Sequence, residues 1–350
     1  MPEKVKVLIV DDSAYMRVVL KDILESDPDI DIVGSAKDGV EAIEKTRTLS
    51  PHVVLLDIQM PRMDGLATLR RIMRDNPTRV IMLSAMDKFD DQLPIRALEF
   101  GAVDFISKPS GPVSIDIVNF KDKIVEIVKM AAGVKVEVLK KSTAPLPHKL
   151  NAMKKMVTPG LKGIVIAAST GGPRALEIIF AALPKELPAP AFIVQHIPAE
   201  FSNSLAKRLS SANGPKVVLA GDERRAEKGT AYLAPGGMHL KIARKGAYNL
   251  VMMLSDESPV NFVKPSADVL FKSAADCLGA NALGVVLTGM GVDGAAGAHA
   301  IKLAGGQVLV QDEQSSLAYS MPRAVIRADA GTKVLPLESI AEHIVKFLEE

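Results

Sequence analysis

Short runs of Val, Ile and Leu alternate with segments of helical period through the first 130 residues. The apolar runs are 5–10, 30–36, 53–56, 80–84 and 103–107, and the helical patterns are 15–25, 40–48, 67–74, 91–100 and 115–130. Unbroken apolar runs suit strands covered on both faces, and β–α alternation joins strands in parallel. Five such units predict a flavodoxin-like (βα)5 domain over 1–130. From 138 to 176 no acidic residue occurs, while Lys140, Lys141, Lys149, Lys154, Lys155 and Lys162 are basic and Pro145, Pro147 and Pro159 break any period. This stretch predicts a linker over 131–160, its core at 140–160, read as a solvated tether. Alternation resumes with apolar runs 163–168, 191–195, 216–219, 283–287 and 307–310. Shorter alternating runs at 230–234, 238–243 and 248–254, with turns at Pro235-Gly236-Gly237 and Lys245-Gly246, predict an antiparallel insertion. The expectation for 161–350 is a doubly wound α/β domain carrying that insertion.

Composition agrees with two folded domains. The 350 residues exceed the ~100–200 of one ordinary domain, and 48% hydrophobic against 24% charged residues is enough apolar surface to offset ordering entropy. Aromatics are 4% with no Trp, so aliphatic cores are expected. Lys plus Arg number 43 against 41 Asp plus Glu, which gives no global case for nucleic acid or an anionic membrane as partner. The single cysteine, Cys277, excludes an intramolecular disulfide and any multi-Cys metal site, and within a helical pattern it reads as a small buried hydrophobe. A strand beginning at once leaves no room for a signal peptide, and no apolar run reaches the ~18 residues of a membrane span. A cytoplasmic protein without membrane insertion is expected.

Chemistry gathers where strands end, because side chains at strand C-termini converge on one crevice of an open α/β sheet. In the first domain Asp11 and Asp12 close the first strand, Asp57 the third, Ser84 the fourth, and Ser107-Lys108-Pro109 the fifth. Three carboxylates in one crevice call for a hard cation such as Mg²⁺. With Lys108 opposite and the small Ser84 hydroxyl alongside, Asp57 is placed to form an acyl phosphate. Each Asp alone would read as a helix cap or turn former. The set, with VDDS, LLDIQMPRMDG, MLSA and FISKP across about 4–125, resembles the receiver domain of bacterial response regulators. The resemblance implies a histidine kinase as phosphodonor, Mg²⁺ on Asp11, Asp12 and Asp57, Ser84 and Phe105 as a switch pair, and a cis Lys108–Pro109 bond.

In the second domain Ser169-Thr170-Gly171-Gly172-Pro173 follows the strand 163–168 and opens a helix. A serine there can be a nucleophile beside backbone donors, a helix cap, or part of an anion-binding loop. Gly-x-Ser-x-Gly is absent, since Ala167 holds the first glycine's place. His196 ends the strand 191–195 and Asp293 lies in Thr288-Gly-Met-Gly-Val-Asp293-Gly294. Together the three offer a nucleophile, a general base and an orienting carboxylate. A rival reading takes Gly289-x-Gly291-x-x-Gly294, with Asp312 about 20 residues on, as a dinucleotide fingerprint.

Across 160–348 the segments IAASTGGP, IVQHIP, YLAPGGMHL, VNFVKPSADVLF, VLTGMGVDGAAG and QDEQSSLAYSMPRAV resemble the catalytic domain of the chemotaxis protein-glutamate methylesterases. The resemblance implies Ser169, His196 and Asp293 as a triad, with Thr170 and Met290 in the oxyanion region. It implies hydrolysis of glutamyl methyl esters on methyl-accepting chemoreceptors, deamidation of receptor glutamines as a second activity, and no cofactor for the esterase step. Two other classes stay open: a non-enzymatic regulator, which would need a basic recognition segment, and a receiver fused to a nicotinamide-dependent oxidoreductase.

Overall fold

The computed structural model describes residues 3–84, 93–108, 115–136, 139, 161–246, 249–331 and 333–350. The expected linker core at 140–160 and the Lys108–Pro109 bond lie outside the described residues. The chain divides into two compact units, Met1–Ala144 and Pro145–Glu350.

The first unit holds β1 (Val5–Val10), α1 (Ala14–Glu25), β2 (Ile30–Ala36), α2 (Gly39–Leu49), β3 (Val53–Asp57), α3 (Gly65–Asp75), β4 (Arg79–Ser84), α4 (Leu93–Glu99), β5 (Asp104–Ser107) and α5 (Ile115–Ala132). The strands form one sheet in the order β2-β1-β3-β4-β5, parallel throughout. This is the flavodoxin-like order, and β3 is buried along its whole length as a doubly covered central strand must be. Three helices are started by side chains: Ser13 accepts from the Met16 N–H, Asp38 from Glu41 and Asp64 from Ala67.

The second unit is built on β6 (Gly163–Ala168), α6 (Gly172–Ala182), β7 (Ala191–Gln195), α7 (Ala199–Ser211), β8 (Lys216–Leu219), β9 (Thr230–Leu233), β10 (His239–Lys245), β11 (Asn249–Ser255), α8 (Ala267–Leu278), β12 (Ala282–Val286), α9 (Ala295–Leu303), β13 (Gln307–Gln311), α10 (Ser320–Arg327), β14 (Lys333–Leu335) and α11 (Leu337–Glu349). Seven strands make a sheet in the order β14-β13-β12-β6-β7-β9-β8, again parallel. From β6 the chain builds outward on one side through β7 and on the other through β12, so the crevice above β6 and β12 is the topological switch point.

The expected insertion is smaller than its three runs implied. Of the three runs, the second and third pair antiparallel as β10 and β11. β9 instead joins the main sheet parallel to β7, Ala191 opposite Ala231, because its Ala231, Tyr232 and Leu233 are buried there. The hairpin turns Leu240, Ile242, Leu250 and Met252 into the core that also takes Phe271 of α8. Phe180, Phe192, Phe201 and Phe271 are fully buried, so the cores are less purely aliphatic than composition implies.

One glycine fixes the geometry around Asp57. A Cβ at Gly65 would overlap the Asp57 carbonyl oxygen and come within 2.8 Å of Ile58 Cα, both main-chain atoms that cannot swing aside. Gly65→Ala is expected to destabilise the first unit by about 2 kcal/mol or more. Urea unfolding checks this, and an unchanged midpoint would mean that the loop has room the packing denies.

Candidate active site

Two strand-edge sites emerge, one in each unit. In the first, Asp11, Asp12 and Asp57 present carboxylate oxygens within 4.8 Å of one another. Lys108 Nζ lies 2.6 Å from Asp11 Oδ2 and 2.8 Å from Asp57 Oδ2. Burial pushes the Asp57 carboxyl up to about 6 against the pull of Lys108, and Asp11 adds to the rise. Burial acts to lower the Lys108 pKa, yet Asp57 and Asp11 together raise it. One cation facing this many oxygens leaves an excess of negative charge, and an all-oxygen donor set suits a hard divalent ion. The Ser84 hydroxyl, just past the Asp57–Leu83 pairing of β3 with β4, is buried with no hydrogen-bond partner among the described residues. Phe105, the other expected switch residue, is buried on β5 opposite Met82.

The second site sits at the switch-point edge. Ser169, His196 and Asp293 follow β6, β7 and β12, the three neighbouring strands on which the sequence places them. His196 Nε2 and Asp293 Oδ2 are 2.8 Å apart. Asp293 is almost wholly buried, and it accepts four further hydrogen bonds: from Ser266 Oγ (2.6 Å), Asn261 Nδ2 (3.2 Å), and the main-chain N–H groups of Ala267 (2.6 Å) and Asp268 (3.2 Å). Those two N–H groups open α8, so the carboxylate also meets the positive end of a helix. Burial pushes its pKa upward, but the bonds from His196, Ser266 and Ala267 outweigh burial and hold it below the usual carboxylate value. A carboxylate can only accept, so the histidine proton lies on Nε2 and the basic lone pair on Nδ1.

Ser169 is positioned through its main chain. Its N–H donates to the Thr288 carbonyl (3.1 Å), and its carbonyl accepts from Gly172 N–H (2.7 Å) and Gln195 Nε2 (2.9 Å). Gln195 Nε2 also reaches the His196 carbonyl (3.1 Å), and His196 N–H donates to the Ala168 carbonyl (3.0 Å). Among the described residues the Ser169 hydroxyl makes no hydrogen bond. The Ser169 N–H is committed to Thr288 and is therefore no oxyanion donor. Met290 N–H has no acceptor among the described residues, while Thr170 is buried and its carbonyl accepts from Thr288 Oγ1 at 2.9 Å. Gln311 holds Thr288 in turn, its Oε1 accepting from the Thr288 N–H at 2.8 Å.

The dinucleotide reading gains nothing from the packing beyond its motif. Gly289, the turn glycine, is packed against Met321 and against Ser169, whose Cβ lies 2.8 Å from the site of a Cβ there, although the space beside Gly291 is open. Asp312, the acid that reading assigns to ribose, accepts from Ser315 N–H (2.9 Å) and Oγ (2.6 Å). Cys277 lies at the other end of α8, where burial raises its thiol to about 11 and keeps it protonated.

Residues 164–344 match the family described as CheB methylesterase. The chain belongs to that family. Residues 7–117 match the response regulator receiver domain. A protein-glutamate methylesterase/protein-glutamine glutaminase of Pyrococcus horikoshii is 44% identical over 350 residues, covering all of this chain and 95% of the relative. One of the same name from Halalkalibacterium halodurans is 42% identical over 346 residues, covering 99% of each. The crystal structure of the Thermotoga maritima CheB methylesterase catalytic domain superposes with TM-score 0.52 at 37% identity, over 54% of this chain and 99% of that one.

Several residues around the triad candidates escape sequence reasoning. Ser266, Asn261 and His239 lie in the segments VNFVKPSADVLF and YLAPGGMHL, where nothing local marks a role. His239 is fully buried; its Nδ1 accepts from Ser266 N–H at 3.1 Å and its Nε2 donates to the Ser258 carbonyl at 3.1 Å. Asp268 ties the same cluster to α9 by accepting from Gly297 N–H at 2.6 Å and Asn261 Nδ2 at 2.8 Å.

An amide at 293 would place its NH₂ against donors. Asp293→Asn is expected to cost about 2–4 kcal/mol at pH 7 in addition to activity. The folded pKa is lowered, so the carboxylate's stabilisation is full above the usual carboxylate value and is lost as pH falls from there through the lower folded value. The difference between the variant and the parent should therefore shrink in acid. Thermal melts across pH 3–7 test this, and a pH-independent difference would contradict it.

Proposed function

We infer that the chain is a phosphorylation-regulated protein-glutamate methylesterase and protein-glutamine glutaminase acting on methyl-accepting chemoreceptors in the cytoplasm, with Ser169, His196 and Asp293 as its triad. The observation that carries this reading is the buried His196–Asp293 hydrogen bond at the sheet edge where Ser169 ends the neighbouring strand. Ser169 Oγ attacks the γ-carbonyl of the ester and its proton passes to His196 Nδ1. The resulting oxyanion is met by Met290 N–H and the Thr170 segment. Collapse breaks the C–O bond, and the methoxy group leaves as methanol with the proton from Nδ1. Water then attacks the acyl-serine, gives a proton to Nδ1, and Ser169 departs with it to leave glutamate. With a glutamine substrate the leaving group is ammonia. Asp293 keeps Nε2–H in place and offsets the imidazolium charge. This esterase step uses no cofactor.

In the receiver, Asp57 takes a phosphoryl group from a histidine kinase, its oxygen replacing the imidazole nitrogen on phosphorus. Asp11, Asp12 and Asp57 would hold Mg²⁺, which supplies positive charge to the phosphoryl oxygens and favours ionised Asp57. Lys108 pairs with the new charge, and Ser84 and Phe105 convey the change as a switch pair. The receiver and the esterase share one chain, so tethering gives even a weak restraint of the esterase by its receiver a high effective concentration.

Methanol release from methylated receptor membranes is the direct test. Ser169→Ala should lower it at least a thousandfold in a folded protein, and retention of a tenth of the rate would exclude Ser169 as the nucleophile. Asp57→Asn should keep the basal rate and abolish stimulation by a phosphodonor, with chelation of divalent ions giving the same result. Stimulation that survives Asp57→Asn would move the acceptor elsewhere.

A further inference from the structure

One aromatic side chain stands outside every packing contact yet is mounted on the triad. Phe262 is fully exposed, at 102%, above any other large hydrophobic residue among those described. Single exposed apolar residues are common; the mounting of this one is not. Val260 and Val263 exchange two main-chain hydrogen bonds, 3.2 and 3.1 Å, closing a two-residue turn of Asn261 and Phe262. Both turn residues are left-handed, with φ of 52° and 62°. Asn tolerates that conformation, but the second position ordinarily takes glycine, and a bulky side chain there is strained. The turn is kept in place by Asn261, whose Nδ2 donates to Asp268 Oδ2 at 2.8 Å and to Asp293 Oδ1 at 3.2 Å. Val292, the residue before Asp293 in the chain, is 57% exposed. Strain and exposure thus fall on a phenylalanine held one residue from a ligand of the triad aspartate.

We propose that Phe262, with Val292 beside Asp293, is a specificity-determining anchor that docks on an apolar side chain of the chemoreceptor, near the glutamyl ester presented to Ser169. This rests on the esterase reading above. A rigid turn suits the task, because an anchor already fixed in position loses little entropy when it binds. The apolar contact would contribute to substrate affinity and leave the chemical step alone, since neither residue carries a group that exchanges protons or meets the oxyanion.

Phe262→Gly removes the anchor and relieves the left-handed strain, which separates docking from folding. With the full chain saturated by phosphodonor, KM for methylated receptor membranes should rise about tenfold, the loss of one buried aromatic contact, and kcat should stay within about twofold. A short peptide bearing a glutamyl methyl ester, which lacks the rest of the receptor surface, should be hydrolysed at the parent rate. The thermal midpoint should not fall, and Phe262→Leu should recover most of the KM. An unchanged KM for membranes overturns the proposal, as does an equal loss on the short peptide. It is also overturned if the variant only raises the unphosphorylated rate, for the residue then meets the receiver. Ser169→Ala is run beside it: release of methanol by that variant would remove the esterase reading itself, whereas an inactive Ser169→Ala with an unmoved Phe262→Gly KM removes this inference alone.

Discussion

The carboxylate of Asp293 is the constraint on which the catalytic unit is arranged. A buried anion is costly unless its oxygens are fully satisfied. Here five donors converge on it from three separate segments: the 260s turn, the start of α8, and the histidine after β7. Each donor is useful only where the others already hold the anion, so hairpin, helix and loops are committed to one another. His239 extends the commitment to β10 by holding the Ser266 N–H, and Asp268 extends it to α9. Removing the carboxylate would strand all five donors at once.

The two aspartate sites show how donor supply, rather than burial, decides chemistry. Asp57 and Asp293 are both buried. Burial pushes Asp57 up to about 6, because Lys108 and a weak contact from Gln59 N–H offset it only in part and Asp11 adds to the rise. Asp293 has a helix N-terminus, a hydroxyl, an amide and an imidazole, and its pKa falls. The first carboxylate has room for a cation's charge, which fits the phosphoacceptor role proposed for it. The second is already satisfied and has nothing further to bind, which suits a group that orients a base and takes no covalent part.

How much could be read from the chain follows from the range of each signal. Parallel strands buried on both faces are unbroken Val/Ile/Leu runs, so 53–56, 80–84, 163–168 and 191–195 are legible, and with 5–10 the residues that follow strands: Asp11, Asp57, Ser169 and His196. Alternation is less informative. Thr230–Leu233 has the pattern of a hairpin strand, and only its partners place it in the parallel sheet. The supports of the site were illegible for a different reason. Ser266 acts on a carboxylate 27 residues away, Asn261 on one 32 away, and Gln195 on the carbonyl of a residue 26 earlier. A serine, an asparagine and a glutamine without a local pattern give no sign of such reach. Likewise, nothing in the triplet Val-Asn-Phe announces a left-handed phenylalanine.

The orientation of His196 completes the argument. In the familiar arrangement the carboxylate takes Nδ1–H and the nucleophile faces Nε2. Here Nε2, the nitrogen farther from the main chain, is on Asp293, which leaves Nδ1, close to Cβ, to the nucleophile proposed at Ser169. A nucleophile served by the nearer nitrogen must come from a strand running tightly beside the histidine's own. The sheet supplies that: Ala168 pairs with Gln195, the Ala168 carbonyl accepts the His196 N–H, and the Gln195 amide spans the Ser169 and His196 carbonyls. Parallel neighbours in register bring Ser169 and His196 out at the same edge, one residue past the Ala168–Gln195 pair, which supports the proposed proton transfer to Nδ1. The reversed imidazole and the adjacency of β6 and β7 are therefore two sides of one geometric requirement, with Asp293, fixed to the start of α8, setting which way the ring must turn.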